Sequence, residues 1–98
     1  MDHPAYMSAR RKTLGKLVEV ADAGDAAAAN ELGYRLAKTN PPDLAGAHVW
    51  YQQAAEAGNA DAAYNLGWLL VNLMDPPDLV GARRWLQQAA DGGNAYAA

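Results

Sequence analysis

Apolar residues fall at helical spacing in four stretches of the chain, and the stretches form two matched pairs. Ala29, Leu32 and Leu36 stand at i, i+3 and i+7, and Ala63, Leu66 and Leu70 repeat the same steps further along. A stripe at that spacing occupies one face of a helix, which predicts a first-type helix from Ala26 to about Lys38 and a second copy in the matching stretch. Leu44, Ala47, Tyr51, Ala54 and Ala55 form another stripe, matched by Leu79, Ala82, Leu86, Ala89 and Ala90. These second-type helices, the earlier one running from Asp43 to about Ala57, are expected to pack their apolar faces on the first-type ones.

Polar and conformationally special residues mark the joins. Pro41-Pro42 and Pro76-Pro77 cannot continue a helix, and the Asp43 and Asp78 that follow can cap the next one through their carboxylates. Gly24-Asp25, Gly58-Asn59 and Gly93-Asn94 predict a different device, a glycine in the left-handed conformation that ends one helix and a polar residue that caps the next. Four glycines sit inside helices, Gly33, Gly67, Gly46 and Gly81. Each costs about 1 kcal/mol relative to Ala, and close helix contact is the expected compensation at all four.

The two pairs are copies of one unit. Gly24–Ala57 aligns with Gly58–Gly92 with one gap, at Met74, and more than half of the aligned positions are identical. A repeat of about 34 residues is the signature of a stacked helical array, in which each unit buries its apolar face on its neighbours. Further out, Leu14, Leu17, Ala21 and Ala23 resemble the end of a second-type helix, and residues 94–98 the start of a first-type one. The expectation is one all-α domain over residues 1–98. It comprises an N-terminal helix within 1–23, repeats at 24–57 and 58–92, and the opening of a truncated third repeat at 93–98. That is a solenoid of antiparallel helix pairs, about five helices plus a terminal stub.

The motif A-x-x-L-G-x-x-L at Ala29 to Leu36 and Ala63 to Leu70 is followed by A-x-x-W-[YL]-x-Q-A-A at Ala47 to Ala55 and Ala82 to Ala90. With these two motifs in tandem, residues 14–98 resemble the Sel-one-like repeats, close relatives of the tetratricopeptide repeats. Two features depart from that family's pattern: a Pro-Pro-Asp connector stands where a glycine-rich one is usual, and the period is short. Gly-Asn at the join between units, where tetratricopeptide arrays usually place Pro, favours the Sel-one-like group. The resemblance implies a right-handed α–α superhelix whose relatives serve as adaptors in protein complexes; it names no ligand.

Composition and charge remove several other functions. The 98 residues are 51% hydrophobic without a single Phe, so the apolar content lies in small, helix-favouring side chains. A net charge of −3 argues against electrostatic capture of nucleic acid or an anionic membrane, and the cluster Arg10, Arg11, Lys12 and Lys16 reads as a solvated helix face. Cys is absent, and no stretch has the length of a signal peptide's apolar core or a membrane span. A cytoplasmic protein without cofactor or metal is expected.

Catalytic residues are not expected either. His3 lies near the terminus, and His48, read as an outward-facing surface residue, has no His or Cys partner on its helix. Ser8 with Asp2 and His3 is no triad without a scaffold to hold it. Asp61 suits the first turn of its helix, whereas Glu56 and Asp91 stand near helix ends where the dipole disfavours them.

A binding surface is the remaining expectation. In helix-pair solenoids the first helix of each pair lines the concave face. Residues there that point away from the Leu stripe are the candidates for contact with a protein or peptide: Asn30, Tyr34, Lys38, Tyr64, Trp68, Val71 and Asn72. The aromatic ones supply large contact area with a polar handle; the competing reading for Tyr64 and Trp68 is packing between helix pairs, as expected for Trp50 and Trp85. A second surface is expected at the C-terminal end, where Trp85, Leu86, Ala89 and Ala90 call for a further helix. Another copy of the chain, as a closed homodimer, or the rest of a longer parent protein would cover them. Three functions thus stay open: an interaction scaffold or adaptor, a self-assembling structural unit, and a non-catalytic regulatory piece of a larger protein.

Overall fold

In the computed structural model, residues 14–97 are described; Ser8, Asp2, His3, Arg10, Arg11 and Lys12 lie outside them. Five helices follow one another, α1 over residues 14–22, α2 Ala26–Ala37, α3 Leu44–Glu56, α4 Ala60–Asn72 and α5 Leu79–Asp91, with no strand among the described residues. Consecutive helices pack in turn: α2 on α3, α3 on α4 and α4 on α5, while α2 and α4 touch only lightly. The chain is therefore an all-α helical-repeat solenoid in which first-type helices α2 and α4 alternate with second-type helices α1, α3 and α5.

The two kinds of join close by the expected chemistry. Gly24, Gly58 and Gly93 adopt φ of 102°, 98° and 93°, a region where a Cβ is penalised. After each of them the chain folds back into the same pair of hydrogen bonds. Gly58 N–H donates to Ala55 O (3.0 Å) and Asn59 N–H to Ala54 O (3.0 Å), and Gly93 and Asn94 repeat this with Ala90 O (3.1 Å) and Ala89 O (2.9 Å). These bonds occupy carbonyls that the helix end would otherwise leave unpaired. At the Pro-Pro joins, where Asn40–Pro41 and Asp75–Pro76 are both cis, Asp43 N–H donates to Leu36 O (2.9 Å) and Asp78 N–H to Leu70 O (3.0 Å). Met74, the extra residue of the second copy, falls in this loop, so the insertion disturbs neither helix.

The caps of α2 to α5 act as read from the sequence. Asp25 accepts the Ala28 N–H (2.9 Å), Asp43 that of Gly46 (2.8 Å), Asn59 that of Ala62 (2.8 Å) and Asp78 that of Gly81 (2.9 Å). The caps correct one reading of the glycines. Gly33 and Gly67 do meet a neighbouring helix: a Cβ would lie 2.6 Å from Cδ1 of Tyr51 at the first and 2.6 Å from Cγ of Leu86 at the second. Gly46 and Gly81 have another reason, because a Cβ there would collide with the capping carboxylate of Asp43 or Asp78.

Most of the buried core is alanine, with Leu32, Leu66, Leu69, Leu70, Tyr51 and Trp85 supplying bulk. Side chains without rotamer entropy let the helices approach at little ordering cost. Amides then lace like to like across the array. Gln53 Nε2 donates to Ala21 O (3.2 Å) and Gln88 Nε2 to Ala55 O (2.7 Å), tying α1 to α3 and α3 to α5, while Asn65 Nδ2 donates to Asn30 Oδ1 (3.0 Å) between α2 and α4. Glu56 and Asp91, unexplained by the sequence pattern, accept from Gln52 (3.1 Å) and Gln87 (3.0 Å) one turn earlier. His48 is half-buried, less exposed than its place in the pattern suggested.

Candidate functional site

Because α2 and α4 barely touch, a cleft of about 440 Å³ opens between them. Tyr34 and Lys38 of the α2 side and Tyr64 and Trp68 of α4 line it, so four of the residues singled out in the sequence come together in one place. Tyr34 is 49% and Trp68 47% exposed, an unusual state for large aromatics that would otherwise bury their surface. The Lys38 ammonium lies 5.2 Å from the Tyr34 ring centroid, close enough for a cation–π attraction of about 0.5–1 kcal/mol at such an exposed site. Tyr64 is half-buried, its ring centroid 5.8 Å from that of Tyr96 and inclined at 38°.

Tyr51 of α3 also lines the cleft and was assigned by the sequence pattern to the core. It does both. The residue is 4% exposed, and its ring lies against Gly33, whose missing Cβ makes room for it. Burial, with smaller contributions from Tyr34 and Glu31, pushes its phenol up to about 12. Asn65, Leu69 and Leu73 complete the α4 wall. The available signal for these residues was the mismatch between copies: Tyr51 pairs with Leu86, Asn65 with Glu31, Leu69 with Arg35 and Leu73 with Thr39. Among the described residues, Lys38 is the one ionised side chain lining the cleft; Arg35, also on α2, is paired with Glu31 at 2.9 Å.

The other three candidates lie elsewhere. Asn30 spends its side-chain oxygen on Asn65, and Asn72 donates to Trp68 O in its own helix at 3.0 Å. Val71 lines a separate cleft at the α5 end, together with Leu86 and Ala90 of the expected self-association group. Trp85 and Ala89 of that group are 6% and 0% exposed and belong to the interior. The Trp85 ring carries the Arg84 guanidinium 5.0 Å from its centroid, an arrangement that covers it within the chain. Among the described residues no group of three or more His, Cys, Asp or Glu could hold a metal ion, and no helix is long and apolar enough to cross a membrane.

Antiparallel helix pairs stacked so that their first members flank an aromatic cleft define a helical-repeat protein. The sequence profile of the Sel1 repeat matches residues 26–59 and 60–94. The chain belongs to that family, the Sel-one-like group indicated by its motifs. Sel1 repeats are generally protein–protein interaction modules, typically non-catalytic, which implies protein partners for this chain. Comparison with curated proteins and with solved structures yields no match.

Proposed function

We propose that this chain is an interaction scaffold that holds an extended or helical segment of a partner protein in the cleft between α2 and α4. The observation that carries this reading is the pairing of two half-exposed aromatics, Tyr34 and Trp68, in a cleft of about 440 Å³ that the buried Tyr51 also lines. Rigid aromatic side chains at the centre of a concavity provide contact area at small entropic cost and dominate binding at many interfaces. Lys38, Asn65 and the Tyr51 hydroxyl supply the few polar groups such a site uses to fix orientation.

Selection of peptides from a random display library on the immobilised chain tests the reading. Selected peptides should lose about 30-fold or more in affinity to Trp68→Ala, the loss of a contact worth about 2 kcal/mol, while helical content and melting stay near wild type. Peptides indifferent to both Trp68→Ala and Tyr34→Ala would place recognition on another face.

A further inference from the structure

The α2–α4 cleft has two unlike walls. Trp68, Leu69 and Leu73 make the α4 side largely apolar, whereas the α2 side presents Tyr34 and Lys38. No carboxylate lines the cleft among the described residues, and Glu31 of α2 is paired with Arg35 at 2.9 Å. Lys38 is exposed and forms no ion pair among the described residues; its ammonium rests 5.2 Å from the Tyr34 ring centroid. In a chain of net charge −3 the cleft is thus a local positive site. Exposed charges farther off than about 8 Å are largely screened at physiological salt, so Lys38 governs what the cleft attracts.

A second donor serves the same space. Tyr51 is 4% exposed and lines the cleft, and its hydroxyl makes no hydrogen bond among the described residues. No side-chain polar atom sealed inside the chain lacks a partner there, so this hydroxyl keeps access to the cleft. Its ring is fixed against Gly33, and burial pushes the phenol up to about 12, which keeps it a neutral donor. A nearly buried donor without an acceptor is unfavourable in the free chain and is met by an acceptor on a ligand.

Lys38 and Tyr34 also line a neighbouring hollow of about 450 Å³, which Leu14 of α1 and Thr39 share. The two spaces meet at these side chains, so a bound segment has room to run on past Lys38 instead of ending there.

We infer that the cleft selects an extended partner segment with an internal Asp or Glu beside a large apolar residue, the carboxylate held by the Lys38 ammonium and the Tyr51 hydroxyl and the apolar neighbour by Trp68. This rests on the α2–α4 cleft being the binding site and adds what the partner must carry.

The test selects peptides on the immobilised full chain from a library displayed with free C-termini, so that internal acids and terminal carboxylates compete. Peptides that lose affinity to Trp68→Ala should share an internal acid next to an aromatic or aliphatic residue. Replacing that acid by Ala should weaken binding about tenfold or more, and Lys38→Gln in the chain about fivefold. On a chain carrying Lys38→Gln and Tyr51→Phe together, the acid and Ala peptides should bind within about twofold of each other, the non-additivity expected of groups in direct contact. Both substitutions should leave melting near wild type, since Lys38 is exposed and phenylalanine keeps the ring against Gly33. Trp68-dependent peptides that lack an internal acid, or whose losses simply add, overturn the inference and leave the cleft as the binding site. So does dependence on the terminal carboxylate, read as lost affinity on amidation. Peptides indifferent to both Trp68→Ala and Tyr34→Ala, or failure to select any, overturn the inference together with the reading it rests on.

Discussion

Replacing Gly33 by Ala sets two opposing effects against each other, and the geometry decides the sign. Ala is favoured over Gly in a helix interior by about 1 kcal/mol. The added methyl, however, would lie 2.6 Å from Cδ1 and 2.8 Å from Cε1 of Tyr51. That ring is rigid and almost sealed, so it relieves the overlap only by displacing its neighbours, and overpacking of this kind costs about 1–3 kcal/mol. A net loss of about 1 kcal/mol is expected, or about 4–8 °C in Tm for a chain of this size. Gly67→Ala is the internal control. Its methyl would lie 2.6 Å from Cγ of Leu86 and 3.3 Å from the backbone O of Ala82; Leu86 borders the open α5 cleft and can turn away where the Tyr51 ring cannot, so a smaller loss than at Gly33 is expected. Thermal and urea unfolding of the two variants, followed by circular dichroism, measures the difference. If Gly33→Ala proved more stable than wild type, or Gly67→Ala the more damaging of the two, the account of why glycine occupies these positions would be wrong.

Four further outcomes follow from the same geometry. Trp85→Ala should cost about 3–5 kcal/mol, unlike Trp68→Ala, since Trp85 is interior; equal melting of the two variants would contradict their assigned burial. Asp78→Ala should lose about 1 kcal/mol by leaving the Gly81 N–H uncapped, readable as a lower urea midpoint at unchanged slope. Gln88→Ala removes the 2.7 Å bond to Ala55 O and should cost about 0.5–1.5 kcal/mol, with exchange of amide protons at the α3–α5 contact accelerated. Tyr51 holds its proton up to about pH 12 in the folded chain, whereas an unfolded tyrosine releases it near 10. The folded state thus binds more protons in that interval, so stability should fall as pH rises from about 10 through 12, and Tyr51→Phe should remove both this slope and the late phase of tyrosinate absorbance.

The fold was legible because every element carries its own local signal. Pro-Pro-Asp, Gly-Asn and the two Leu–Ala stripes each act within a few residues, and the structure places α2 and α3 within a residue or two of the boundaries they imply. What escaped were consequences of side chains meeting across the array. The reason for Gly46 lies in the carboxylate of Asp43 and not in another helix, and nothing in a helical pattern distinguishes that from the reason for Gly33. The role of the repeated Gln53 and Gln88, likewise, depends on a carbonyl 32 or 33 residues earlier in the chain, which no window of one helix contains.

The candidate site illustrates how a repeat separates these two kinds of information. Positions where the copies agree, such as Leu32 with Leu66, Gly33 with Gly67, and Asp43 with Asp78, meet the same packing or capping demand twice, and that demand explains them. The α2–α4 cleft is built largely where the copies disagree: Tyr34 against Trp68, Lys38 against Asn72, Tyr51 against Leu86, and Thr39 against Leu73. Packing within a unit does not require those differences, since the α2–α3 and α4–α5 pairs close with either version. Tyr51 shows the point most directly. Leu86 fills the same place against Gly67 that Tyr51 fills against Gly33, so packing on the glycine within a unit is satisfied by a leucine, while the larger Tyr51 stands on α3, which packs on both α2 and α4, and lines the cleft.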